Sequence, residues 1–201
     1  WSLGTGAGGI RAAAAWDGTP SGSIAVAVID TGIRSHPDLD AKRVTGFDMI
    51  SETWIANDED GRDADASDPG DTDFGTGECQ NPFDLGSSWH GTHVAGIIAA
   101  TSNNGEGIAG VAPNARIVPV RALGRCGGTF DDVADSIRWA AGVPVAGTPT
   151  NPNPAKVLNL SLGGTAPCSA NMQSAVDAAI ARGAVVVVSA GNEAGLASTS
   201  A

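Results

Sequence analysis

The sequence predicts an α/β domain with a mostly parallel central sheet flanked by helices. Three observations carry that reading. Short apolar runs alternate with segments of helical periodicity, the runs are apolar at nearly every position, and two of them end in Asp-Thr-Gly or Ser-Ala-Gly-Asn, where the chain must turn. A strand covered on one face only would alternate apolar with polar residues; a nearly continuous run implies cover on both faces.

Taken in order, Ile24 to Ile29 (IAVAVI) reads as the first strand. Residues 51–88 lack periodicity and read as a long irregular insertion, a feature that usually has a functional or ligand-bound reason to be ordered. A helix is expected to begin at His90, with Val94, Ile97 and Ile98 as its apolar face. Arg116 to Val120 is the next strand. Asp131 to Ala141 is a helix with Val133, Ile137 and Ala140 on one face, and Asp131 and Asp132 stand in its first turn, where the dipole favours anions. The Pro- and Asn-rich stretch Val143 to Pro154 is a surface loop, followed by a strand over Val157 to Leu162. Ser169 to Arg182 is a helix with a Ser start, Met172, Val176 and Ile180 at four-residue spacing, and Gly183 as its stop. Ala184 to Ser189 is the last strand. No internal repeat is present.

The chain has 201 residues, enough for one domain with a core. Its 22 Asp and Glu against 11 Lys and Arg, a formal net charge of -11, leave too few cations to neutralise a phosphate backbone, which excludes a nucleic-acid partner. No apolar run approaches the roughly 18 residues of a membrane-spanning helix, so no membrane partner is expected. Twelve of the 22 acidic residues fall between Asp48 and Asp84 with Arg62 as the single base, which makes that stretch a local anionic loop. Cys79, Cys126 and Cys168 lack the paired spacing of zinc or redox sites, and their odd number leaves one without a partner inside the chain. Trp1 to Gly9 has neither a basic start nor an apolar h-region, so the chain is expected to be mature, trimmed or partial.

Three segments carry chemistry. The first strand ends in Asp30-Thr31-Gly32, a carboxylate at the carboxyl edge of a parallel sheet, where α/β proteins build their sites. A turn Asp is an equal alternative for that triplet alone. The aspartic-protease reading needs a second such triplet, which is absent. The second segment, Ser87-Ser88-Trp89-His90-Gly91-Thr92-His93-Val94-Ala95-Gly96, opens a helix with a His that would project into a cleft. His90 and His93 form H-x-x-H, but no third ligand follows at zinc-protease spacing. His93 is expected to be a core histidine with its hydrogen bonds met, and His36 a turn residue. The third segment, Ser189-Ala190-Gly191-Asn192-Glu193, delivers a side-chain amide at another strand end, a suitable donor for an oxyanion.

In this order, and with Gly110-Val111-Ala112-Pro113 and Asn159-Leu160-Ser161-Leu162-Gly163-Gly164, these motifs resemble the subtilisin-like (subtilase) serine proteases over about Trp16 to Gly195. The resemblance implies a three-layer α/β fold and a secreted endopeptidase acting on protein and peptide substrates. By it, His90 is the general base and acid, Asp30 supports the imidazolium, and Asn192 donates to the oxyanion. Ser161, Leu162 and Gly163 would be the strand to which an extended substrate adds, with Gly127 and Gly128 on the opposite rim, and Ser189, Ala190 and Gly191 a wall of the S1 pocket. The family's nucleophile lies in a G-T-S-M-A-type segment several tens of residues after the oxyanion Asn. Ser198 and Ser200 have neither that motif nor that spacing. The expectation is therefore a single peptidase domain, residues 1–201 being its N-terminal and central portion, inactive without a C-terminal segment or chain that carries the Ser. An inactive subtilase-like calcium-binding or structural module is the alternative, and Asp30, His90 and Asn192 together favour the enzyme.

The resemblance also implies calcium. Hard oxygen ligands in a flexible loop suit Ca²⁺, and the acidic insertion offers Asp58, Asp60, Asp63 and the Arg62 carbonyl, completed by Asp68 or Asp71. A second set would join Asp38 to Asn104 and the carbonyls of Glu106 and Ile108. Cys79, just before the His90 helix, and Cys126, on the cleft rim, are expected to form a disulfide, leaving Cys168 to pair beyond Ala201.

Overall fold

The computed structural model describes residues 3–18, 23–72, 79, 86–164 and 166–192. Ser198, Ser200, Glu193, Asp73, Glu78 and Asp84 lie outside the described residues. Five strands, β1 (Ala25–Asp30), β2 (Phe47–Asp48), β3 (Arg116–Arg121), β4 (Val157–Leu160) and β5 (Val185–Val188), form one sheet in the order β2-β3-β1-β4-β5. Every pairing is parallel. The helices are α1 (Ala12–Gly18), α2 (Thr53–Ala56), α3 (His90–Ala99), α4 (Phe130–Ala140) and α5 (Ala170–Ala181).

The centre of the sheet explains the layers. Along β1, Val26 and Val28 enter a cluster with Val94, Ala95 and Ala99 of α3, while Ala27 and Ile29 enter a second cluster with Val133, Ile137 and Ala140 of α4 and Ala175 and Ala179 of α5. Successive side chains of a strand point to opposite faces, so a run that is apolar at every position needs a helix layer on each side. The architecture is the three-layer α/β arrangement that the apolar runs predict. Parallel pairing also brings the carboxyl ends of β1, β3, β4 and β5 to one edge, and register places Asp30 opposite Arg121.

Two helices begin on local signals. Thr129 Oγ1 accepts from the Asp132 backbone N–H at 3.0 Å at the start of α4, and Ser169 Oγ accepts from Met172 N–H at 3.1 Å at the start of α5. The 143–154 loop is more than a surface connection. Asn151 is buried, and its amide donates to the Trp139 and Ala140 carbonyls at the end of α4, which also accept from the Gly142 and Ala155 N–H groups.

Several expectations need correction. Ile97 and Ile180, placed by periodicity on the core faces of their helices, are 46% and 57% exposed; the buried residues of α5 are Ala175 and Ala179. Small residues let the helix approach the sheet closely, and the larger side chains flank the contact. His93 is exposed on the outer side of α3, away from the face formed by Gly91, Val94 and Ala95. Strand β5 is largely exposed rather than covered on both faces, with Val185, Val187 and Val188 at 59%, 47% and 54%. The irregular insertion contains α2, and the two-residue β2 is too short to leave a pattern. His36 does sit in a turn, where its Nδ1 accepts from Asp38 N–H at 3.2 Å.

Candidate active site

Asp30 is the last residue of β1 and is fully buried. His90 is the first residue of α3, and its side chain is 44% exposed. The two meet across 60 residues of sequence, with His90 Nδ1 at 2.8 Å from Asp30 Oδ1 and 2.9 Å from Oδ2. An ionised carboxylate only accepts, so Nδ1 carries the hydrogen and Nε2 is the free base on the open side of the ring. The Thr31 backbone N–H also donates to Asp30 Oδ1, at 2.8 Å. Burial raises the Asp30 pKa above its ordinary value, and the hydrogen bonds from His90 and Thr31 oppose that shift without cancelling it.

Besides Ser88 Oγ, which accepts from the His90 N–H at 3.3 Å, distant residues hold the start of α3. Trp89, at the N-cap, lies in the left-handed region with φ 51° and makes no side-chain cap. Arg34 stacks on its ring at 4.4 Å, and the Arg34 backbone N–H donates to Thr92 Oγ1 at 3.0 Å. The Gly91 N–H, one of the donors that a helix start leaves unpaired, donates to Thr31 Oγ1 at 3.0 Å.

His90 opens onto a cleft of about 930 Å³ whose lining includes Ser161, Leu162, Gly163, Gly127 and Gly128. Phe130, Leu123, Met172 and Val176 give it apolar walls. Ser189 Oγ donates to the Leu162 carbonyl at 2.9 Å and so fixes the Ser161–Gly163 segment to the chain leaving β5. Ala190, Gly191 and Asn192 follow on the exposed carboxyl side of that strand. Cys79 is disulfide-bonded to Cys126, and both line the cleft. Cys168 is an exposed free thiol that also lines the cleft.

The metal candidates divide. Arg121, fully buried, donates to Asp48 Oδ2, to Asp58 Oδ2 at 2.6 Å and to the Ala56 carbonyl. Asp58 Oδ1 is buried and has no hydrogen-bond partner. Burial pushes the Asp48 carboxyl up to about 7, against the pull of Arg121. Arg62 ties the acidic loop to α4 through Asp132 at 2.7 Å and Asp135 at 2.9 Å, while Asp63 pairs with Asp48 through both backbone groups. Asp60 lies in the same turn. Asp71 and Asp68 are engaged elsewhere: Asp71 accepts from Ser88 N–H at 2.6 Å and Ser88 Oγ at 2.5 Å, and Asp68 accepts from Thr31 Oγ1 and Gly70 N–H. Among the described residues no group of three or more His, Cys, Asp or Glu side chains gathers as a metal cage. In the second set, Asp38 is buried and accepts from Asn104 Nδ2 at 2.5 Å and Ile108 N–H at 2.9 Å, which lowers its pKa, and Glu106 N–H donates to Asn104 Oδ1 at 3.2 Å.

Sequence reasoning passed over Asp68 as a partner of Thr31 and Arg121 as a buried cation. Arg121 ends an apolar run, where a charged residue ordinarily marks the strand leaving the core.

Comparison with known proteins gives a consistent picture. The profile of the subtilase family matches residues 21–201. The chain is 50% identical over 195 residues to an extracellular protease of Xanthomonas campestris pv. campestris, covering 96% of this chain and 33% of that protein. It is 45% identical over 191 residues to the extracellular basic protease of Dichelobacter nodosus, covering 92% and 32%. Among solved structures, a protease from Pseudoalteromonas arctica superposes with a TM-score of 0.92 at 51% identity, over 96% of this chain and 56% of that one. The chain thus spans about a third of the length of these two curated relatives.

Proposed function

Because the chain belongs to the subtilase family, we propose that it forms the Asp–His part of a secreted serine endopeptidase that hydrolyses peptide bonds in proteins. The observation that carries this is the contact of a buried strand-end carboxylate with a histidine whose other nitrogen faces a cleft. His90 Nε2 takes the proton of a serine hydroxyl as it attacks the scissile carbonyl, and later returns a proton to the leaving amine. Asp30 holds the imidazole in the required tautomer and stabilises its cationic form. Asn192 donates to the oxyanion, and Ser161 to Gly163 pair with an extended substrate opposite Gly127 and Gly128. The serine belongs to a segment other than these 201 residues, and without it the chain is inactive. Residues 1–201 are then part of one peptidase domain.

The extracellular names of the relatives and the Cys79–Cys126 bridge support secretion, since disulfides persist in oxidising compartments. Calcium belongs to the same proposal. Asp58 Oδ1, buried without a hydrogen-bond partner, suits a hard cation, which Asp60, Asp63 and the Arg62 carbonyl would help to hold. The fit does not extend to Asp68 or Asp71, whose oxygens already accept hydrogen bonds. The second set, Asp38 and Asn104 with the Glu106 and Ile108 carbonyls, meets the same objection: both Asp38 oxygens and Asn104 Oδ1 accept hydrogen bonds, and a cation there would have to displace those donors. Bound calcium would neutralise and stiffen these loops.

Treatment of the intact protein with a serine-directed phosphonate, followed by peptide mass mapping, tests the reading. An adduct on one serine that disappears in His90→Ala supports it. Peptide hydrolysis that persists in both His90→Ala and Asp30→Ala overturns it.

A further inference from the structure

The carboxylate of Asp68 is 5% exposed and lies beside the Asp30–His90 pair without touching it. Its Oδ1 accepts from Gly70 N–H at 2.9 Å, and its Oδ2 accepts from Thr31 Oγ1 at 2.7 Å. Thr31 connects three elements: its backbone N–H donates to Asp30 Oδ1, its hydroxyl oxygen accepts from Gly91 N–H, and its hydroxyl hydrogen goes to Asp68. The strap around Asp68 is itself pinned. Ile33 N–H donates to the Ala66 carbonyl at 3.1 Å, and Gly32 sits so close beneath that an added Cβ would stand 2.8 Å from the same oxygen.

A hydroxyl has one hydrogen to give. The Gly91 N–H is only a donor, so Thr31 Oγ1 must accept there and place its hydrogen on another acceptor. In the structure that acceptor is Asp68, and the carboxylate next to Thr31 in the chain is Asp30, which accepts from the Thr31 backbone N–H. While the hydrogen is on Asp68, both Asp30 oxygens stay available to His90 Nδ1–H and the Thr31 N–H. If the hydroxyl turned to Asp30, it would compete with the imidazole and weaken the bond that holds His90 in register.

We infer that Asp68 is a positioning residue, which orients the Thr31 hydroxyl so that Thr31 caps the start of α3 and leaves the Asp30 carboxylate to His90. The inference rests on the peptidase reading of that pair. Asp68 touches neither substrate nor the reacting atoms, and its effect passes through Thr31.

The test uses the intact protein with Asp68→Ala, Asp68→Asn and Thr31→Val. It records kcat and KM on a peptide substrate, together with the low-field proton resonance of the His90 Nδ1–H. In Asp68→Ala kcat falls by about tenfold to a hundredfold while KM changes little, and the resonance broadens or moves upfield. Asp68→Asn keeps one of the two accepting oxygens and recovers part of kcat. Thr31→Val gives a similar loss, and adding Asp68→Ala to it causes little more, because both act on one hydrogen bond. If Asp68→Ala fails to fold, Thr31→Val alone decides through the same resonance and the same kcat and KM split. Folded variants that melt earlier but keep the wild-type kcat and resonance overturn the inference and leave Asp68 a structural residue. Hydrolysis that persists in His90→Ala and Asp30→Ala would overturn the peptidase reading instead, so the two failures are distinguishable.

Discussion

Gly91, the second residue of α3, packs against Gly32 so closely that an added Cβ would stand 2.3 Å from the Gly32 carbonyl oxygen and 3.1 Å from Asp30 Cβ. Any side chain at 91 would push α3 away from the end of β1, and His90 moves with the helix. Gly91→Ala should therefore destabilise the fold by about 1–3 kcal/mol through overpacking, beyond what alanine's better helix propensity returns. It should also lower kcat by about a hundredfold, since an ångström of misplacement is enough. Thermal melting and steady-state kinetics on the same preparation check both, and unchanged kcat in a folded variant would show that His90 is not placed by this contact.

Burial raises the Asp30 pKa, so the folded state holds the carboxyl proton more tightly than the unfolded chain does. The sign follows: the contribution of Asp30 to stability is present below its ordinary value of 3.8 and is lost as pH rises through the raised folded value. Asp30→Asn cannot ionise. It should gain stability relative to the wild type as pH climbs from about 4 through the raised folded value, while kcat falls by about four orders of magnitude through the wrong imidazole tautomer. Urea denaturation of both proteins at several pH values checks this. Parallel stability curves over that range would mean that burial of the charge has no energetic effect.

What could be read from the sequence depended on how far each signal reached along the chain. The apolar runs of β1 and β3 and the Thr129 cap are local, and each leaves a pattern within a few residues. The Asp30–His90 contact became visible because each residue sits in its own recognisable segment, one at a strand end and one at a helix start. Asp68 bonds Thr31 across 37 residues from a loop with no periodicity, so nothing beside it in sequence points to its partner. Arg121 is similar, with Asp48 at 73 residues' separation and Asp58 at 63. The misplacement of Ile97 and Ile180 has another origin. Four-residue spacing identifies a helix stripe but not its width, and where Ala and Gly make the contact the larger apolar residues fall to its sides.

Calcium should stabilise the protein through either oxygen-rich set. At free calcium a hundred times Kd, a single site that binds only the folded state adds about 2.7 kcal/mol, so melting should rise with calcium and fall in chelator. Asp58→Asn should remove the increment due to the acidic loop, and Asp38→Asn the increment due to the 104–108 loop. The two losses should add, because the residues share no partner among the described contacts. Identical melting in calcium and in chelator would count against both ligand sets.

The Cys79–Cys126 bridge closes a sequence separation of 47 and joins two residues that line the cleft with His90. Removing a cross-link of this size costs about 2–4 kcal/mol, largely by restoring freedom to the unfolded chain. The bridge should also matter to substrate, because Cys126 stands beside Gly127 and lines the same cleft as Ser161 to Gly163. With Cys79→Ser and Cys126→Ser combined, KM should rise more than kcat falls, since the rim loosens while Asp30 and His90 keep their own contacts. Peptide mapping without reduction should recover a linked pair of fragments that contain Cys79 and Cys126. A Cys126–Cys168 linkage would contradict the arrangement from which the KM effect is argued.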